Sequence, residues 1–174
     1  LVAEMLGDTA WDFDGQEIFK RAVMAMAHAS QDVLAKTGHT VDEIDLVVPH
    51  QANLRIIESV AKRVGASMDR VYVTVQRYGN MSSATVPVAL VDALEEGRVK
   101  PGALILMPAF GAGLTWCSHL VRWGERTTPI GTSAIELPPC NQTALERVRE
   151  LIANKQPPDR SAAGLAAAKL AEIP

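Results

Sequence analysis

The sequence predicts a layered α/β domain, and three observations carry the prediction. Apolar residues recur at helical spacing in separate stretches, short unbroken apolar runs of strand length stand between them, and the last two such runs are separated only by a Gly-Ala-Gly turn. Over residues 16–123 the order reads α-β-α-β-α-β-β, which calls for a mixed sheet ending in an antiparallel pair.

The first helix carries Ile18, Phe19, Ala22, Val23, Met26, Val33 and Leu34 on one stripe. Asp14 and Glu17 form a D-x-x-E capping arrangement at its start, and Gly38 ends it. Thr40 with Glu43 caps a short turn, after which IDLVV (44–48) reads as a strand buried on both faces. Ile56, Ile57, Val60, Ala61 and Val64 give an apolar face to a second helix over about 53–64, closed by Gly65. VYVTV (71–75) reads as the next strand. A third helix carries Val86, Ala89, Leu90, Ala93 and Leu94, with Pro87 tolerable only in its first turn and Gly97 as its stop. LILMPAF and LTWCSHLVRW then form a hairpin around Gly111, Ala112 and Gly113.

Beyond Trp123 the composition shifts, so the chain divides into residues 1–123 and an appended 124–174. GERTTPIGTSAIELPP reads as an extended connector. Asn141 is placed to cap a helix over TALERVRELIANK, and SAAGLAAAKLAE forms a further helical stretch.

With 48% apolar residues among 174, the chain suits a packed soluble core. A net charge of −3 with scattered Lys and Arg disfavours a nucleic-acid partner. The longest apolar runs are too short to cross a bilayer, and no secretory leader opens the chain, so a cytoplasmic protein is expected. The two cysteines, Cys117 and Cys140, make no CxxC pair, and no histidine cluster has metal spacing. Leu1 in place of Met suggests a segment of a longer polypeptide.

Three positions are candidates for chemistry. His50 directly follows a predicted parallel strand, which puts it where open α/β sheets hold ligands; it either faces a ligand or ties a neighbouring loop. Asn80 follows the next predicted strand, and Gly79 before it permits a positive φ that would aim the amide at a ligand. The competing reading of Asn80 is an Asx turn or helix cap ahead of Ser82. In PAFGAGLTW, small residues after a strand expose backbone N–H groups to a developing oxyanion, or else form an ordinary tight hairpin.

Taken together, HQAN after an apolar strand, GN thirty residues on and AFGAGLTW after a further strand resemble the C-terminal half of β-ketoacyl-acyl carrier protein synthase III, a thiolase-fold condensing enzyme. The resemblance runs from about Asp14 to Trp123 and takes in DGQEIFK, RIIESVAKRVG and EEGRVKPG. It implies a thiolase-like half with a mixed sheet, plus a tail that is helical or extended. It also implies the decarboxylative condensation of an acyl thioester with malonyl-acyl carrier protein that initiates fatty acid synthesis.

The same resemblance assigns roles. His50 and Asn80 are catalytic, acting with a cysteine nucleophile from an N-terminal half. The Ala112 N–H serves the oxyanion, and Phe110 borders the acyl pocket. Asn53 and Arg55 receive coenzyme A or phosphopantetheine, while Lys20, Lys62 and Arg63 dock the carrier protein; the competing reading of those three is a solvated helix face. No cofactor is implied as permanently bound, since coenzyme A and phosphopantetheine thioesters are substrates. The implied partners are acyl-coenzyme A, malonyl-acyl carrier protein, the N-terminal half and a second copy in a homodimer.

Cys117, within an expected core strand, reads as a buried thiol rather than a nucleophile, so this chain alone is expected to be inactive. GNMSSAT departs from GNTSAAS of the bacterial initiating enzymes and resembles plant-type, type III polyketide synthases, which leaves substrate length open. A non-catalytic or substrate-binding subunit paired with a separate cysteine-bearing chain is the alternative. A histidine-dependent hydrolase lacks its GxSxG elbow.

Overall fold

In the computed structural model of the protein the described residues are 14–128, 135 and 141–153, apart from the side chains of 144, 148, 151 and 152. They belong to two compact units, one spanning Phe13–Ile130 and one that includes the segment 141–153.

The first unit opens with α1 (Gly15–Thr37), whose N-cap Asp14 accepts hydrogen bonds from the N–H groups of Gln16 and Glu17. Glu17 does not close the capping box; its carboxylate binds Arg21 Nε at 2.7 Å instead. Gly38, at φ 71°, lets its N–H turn back to the last carbonyls of the helix. A turn of 3-10 helix over Val41–Glu43 follows, with Thr40 N donating to the Glu43 carboxylate at 2.6 Å.

β1 (Leu46–Val47) pairs in parallel with β2 (Leu104–Gly111), Leu46 opposite Ile105 and Val47 opposite Leu106. β2 pairs antiparallel with β3 (Thr115–Arg122) through the predicted hairpin. The sheet order is β1-β2-β3, with β2 central. α2 (Leu54–Val64) and α4 (Thr85–Glu95) complete the two layers. Val47, Leu104 and Leu106 point to one face and pack with Leu34, Ile57 and Ala61 of α1 and α2. Leu46, Val48 and Ile105 point to the other and pack with Ala89 and Ala93 of α4. The period-2 alternation therefore meets a helix layer on both sides, which is why Leu46, Val47 and Val48 are apolar in unbroken succession.

Three expectations are corrected. The VYVTV run makes only one parallel bridge, Val71 to Val47, with Tyr72 N donating to Val47 O at 2.9 Å. By Val75 the backbone has entered the short helix α3 (Val75–Tyr78). A strand cannot continue there for two reasons: Pro49 has no N–H to offer, and the N–H groups of Thr74 and Val75 are taken by the Gln51 side chain at 2.8 and 3.1 Å.

Cys117 is exposed, not buried. Alternation along β3 places it on the face opposite Ser118, whose hydroxyl meets Ser30 of α1 at 3.4 Å. In the second unit, α5 (Ala144–Ala153) bears out the expected helix, but its cap is Thr143 rather than Asn141. Thr143 N and Oγ1 both contact Glu146 Oε2, at 2.7 and 2.8 Å, and Glu146 N donates back to Thr143 Oγ1 at 3.2 Å. Cys140 and the stretch SAAGLAAAKLAE lie outside the described residues.

Candidate functional site

His50 stands at the carboxyl end of β1, as its place in the sequence predicts. Its backbone continues the parallel pairing one step past the strand, His50 N donating to Pro108 O at 2.8 Å. That bond fixes the histidine loop to the stretch of β2 that leads into Phe110, Gly111 and Ala112.

The imidazole is half-buried, and desolvation holds its pKa below the ordinary 6.5, favouring the neutral ring. Its Nδ1 lies 2.6 Å from Thr85 Oγ1, at the first residue of α4. Thr85 Oγ1 in turn lies 2.9 Å from Ser82 O, which also accepts from the Thr85 backbone N–H, and Ser82 N donates to Asn80 Oδ1 at 2.9 Å. One hydrogen-bonded chain thus runs from His50 through Thr85 and Ser82 to Asn80. The two sequence candidates are joined by the loop between them.

Asn80 does adopt an Asx turn, and this does not compete with presenting the amide. With Oδ1 accepting from Ser82 N, the NH2 group is identified as the outward side of the amide, and the residue is exposed. The loop needs two unusual backbone positions for this: Gly79 at φ 67°, ψ −161°, and Ser82 at φ 56°. The first is open only to glycine; the second costs strain for a residue with a Cβ.

Ala112 lies in the exposed hairpin turn, where Thr115 Oγ1 donates to its carbonyl at 2.9 Å. Its N–H makes no hydrogen bond within the described residues. Phe110 packs beside Ile56, Val60 and Met26 and lines a cavity of about 620 Å³ with Met24, His28, Leu114 and Trp116. Neither His50 nor Asn80 lines that cavity.

The remaining candidates fall on α1 and α2. Asn53 is the N-cap of α2, its Oδ1 accepting from Ile56 N at 2.9 Å. Arg55 is exposed, its guanidinium 5.7 Å from the centre of the Phe19 ring. Lys20, Lys62 and Arg63 are exposed, and none of them makes an ion pair among the described residues.

Two residues of the site are absent from the sequence reading. Gln51 is fully buried; its Nε2 donates to Pro49 O at 2.8 Å and Tyr72 O at 3.1 Å while its Oε1 accepts from Thr74 N and Val75 N. It locks the His50 loop onto the segment that leads to Asn80. Its only sequence signal is an amide placed directly after His50 at a strand end. Thr85 is likewise fully buried, and in sequence it looks like an ordinary first-turn residue.

A family model described as 3-oxoacyl-[acyl-carrier-protein (ACP)] synthase III C terminal matches residues 34–123. The chain belongs to that synthase III family. The β-ketoacyl-[acyl-carrier-protein] synthase III 2 of Vibrio cholerae is 52% identical over 146 residues, covering 84% of this chain and 40% of the relative. The synthase III of Symbiobacterium thermophilum is 53% identical over 112 residues, 64% of this chain and 34% of its own. The crystal structure of 3-oxoacyl-[acyl-carrier-protein] synthase III from Aquifex aeolicus superposes with a TM-score of 0.63 at 47% identity, covering 64% of this chain and 36% of that one.

The fold is accordingly thiolase-like, an α/β arrangement with a mixed sheet, and the chain spans about 40% or less of the length of these synthase III relatives. An alignment of 146 residues cannot fit within residues 1–123, so the likeness to the Vibrio synthase reaches into the stretch after Trp123.

Proposed function

We propose that this chain supplies the His and Asn half of a decarboxylative Claisen condensation between an acyl thioester and malonyl-acyl carrier protein, the step that initiates fatty acid synthesis. The observation that carries the reading is the hydrogen-bonded chain His50–Thr85–Ser82–Asn80, which presents an imidazole and a carboxamide from successive loops of a synthase III fold. When the malonyl group loses carbon dioxide, the electron pair of the broken C–C bond gathers on the thioester oxygen as an enolate. Two neutral donors, His50 Nε2–H and Asn80 Nδ2–H, stabilise that oxygen before the carbanion attacks the acyl carbon, whose C–S bond breaks to release the cysteine as its thiolate. A desolvated, neutral imidazole suits this role because it holds a single directed proton.

The nucleophile that carries the acyl group comes from outside this sequence. Cys117 stands exposed on β3 opposite Ala109 and makes no hydrogen bond to His50 or Asn80 among the described residues. The Ala112 N–H, without a hydrogen bond among the described residues, serves the acyl-enzyme oxyanion, and Phe110 borders the acyl pocket. Arg55 receives the phosphopantetheine arm beside Asn53, and the exposed cations Lys20, Lys62 and Arg63 meet the acidic carrier protein. Coenzyme A and carrier-protein thioesters are substrates rather than resident cofactors, and the working unit is a cytoplasmic homodimer.

In the condensing enzyme that contains this chain, His50→Ala and Asn80→Ala are each expected to slow malonyl decarboxylation by roughly a hundred- to a thousandfold, while acyl loading of the cysteine persists. Both rates are read by trapping carbon dioxide and by radiolabelled acyl transfer. Unchanged decarboxylation in both variants would remove the assigned roles. Turnover by the 174-residue chain alone, abolished by Cys117→Ala, would move the nucleophile onto β3.

A further inference from the structure

Thr85 has one hydroxyl proton and two neighbours that can accept it, His50 Nδ1 at 2.6 Å and Ser82 O at 2.9 Å. The choice decides which ring nitrogen keeps the imidazole's hydrogen. If the hydroxyl donates to Ser82 O, it must accept from Nδ1–H, and Nε2 is left as a bare acceptor. If it donates to Nδ1, the only ring N–H stands on Nε2.

Two observations favour the second arrangement. The contact to Nδ1 is the shorter one, and Thr85 is fully buried, so its proton has no water to turn to. Ser82 O also accepts from the backbone N–H of Thr85, so the carbonyl keeps a partner whichever way the hydroxyl points. Nε2 makes no hydrogen bond within the described residues, so its proton is free to meet a ligand.

We propose that Thr85 is a positioning residue that selects the tautomer of His50, donating its hydroxyl to Nδ1 so that Nε2 carries the proton aimed at substrate. The inference rests on the proposed enolate role of His50, to which it adds the group that makes that role available. It also explains why a threonine stands at the first residue of α4 with its side chain turned inward rather than capping the helix.

The test uses the complete condensing enzyme with its histidines labelled with 15N. In the wild-type protein the His50 Nδ1 resonance is expected at the shift of an unprotonated nitrogen and Nε2 at that of a protonated one. Thr85→Val keeps the shape of the side chain and removes the donor. It is expected to shift His50 towards the other tautomer and to slow malonyl decarboxylation at least about tenfold with acyl loading unchanged, and Thr85→Ser is expected to restore both. A wild-type spectrum with the proton on Nδ1 overturns the proposal, and needs no variant to fold. So does a Thr85→Val enzyme whose tautomer and decarboxylation rate match the wild type. Full decarboxylation by His50→Ala would instead sink the enolate role, whatever the spectrum of the wild type shows.

Discussion

Gln51 is the residue on which the geometry of the site most depends. Its amide makes two donor and two acceptor contacts with backbone groups of the 49–51 and 72–75 segments, and nothing else among the described residues satisfies Thr74 N or Val75 N. Gln51→Leu is nearly equal in volume but leaves buried N–H and C=O groups without partners, each worth about 1–3 kcal/mol. We expect a loss of at least about 3 kcal/mol in urea unfolding, together with reduced malonyl decarboxylation, because the loops bearing His50 and Asn80 lose their tie. A variant of wild-type stability would show that water replaces the amide. The adjacent His50 was legible in the sequence because a strand's carboxyl end is a position; Gln51 was not, because three of its four partners lie 21–24 residues away.

At the scale of elements, periodicity located the helices α1, α2 and α4 and the hairpin of β2 and β3 well, since each is decided by which face of a local segment must be buried. Caps and edges were less legible. Asn141 and Thr143 are both good N-cap residues, and the helix uses the one with an acidic residue three positions on. Asn53, which the resemblance assigns to coenzyme A or phosphopantetheine, caps α2, although the two roles draw on different atoms: Oδ1 is spent on Ile56 N, and the NH2 makes no hydrogen bond among the described residues. Asn53→Ala is expected to destabilise the protein by about 1 kcal/mol, and Asn53→Asp to recover most of that, as measured by thermal unfolding. If Asn53→Asp also raises the KM for coenzyme A thioesters while keeping stability, the amide NH2 serves the substrate as well; equal losses of stability in both variants would deny the cap.

For the whole molecule, the telling feature is what lies uncovered. Met24 and Trp116 are each 53% exposed, and with Leu114 and Phe110 they line one apolar cavity between α1 and the hairpin. Among the described residues β3 is the last strand of the sheet, so its outer edge there offers unpaired backbone groups next to that surface. A protein with such a patch is expected to associate, and the 174-residue chain by itself should elute ahead of a monomer in sizing chromatography, with Trp116→Lys shifting it back. A monodisperse monomer of the unchanged chain would refute this. No helix among the described residues is long and apolar enough to cross a membrane.

By itself the sequence determined the layered α/β class, the helices α1, α2 and α4, the hairpin and the placing of His50 at a strand's carboxyl end, because burial of a local stripe or run is written in the order of residues. The tertiary structure alone decided that VYVTV ends after one bridge, that Cys117 faces outward and that Thr85 reaches His50 across 35 positions. Each of these turns on a partner supplied from elsewhere in the chain: the Gln51 amide that takes the strand's N–H groups, the α1 layer that covers only one face of β3, and the first turn of α4 brought against the end of β1. Local pattern says which atoms must be satisfied, and only packing says by which neighbour.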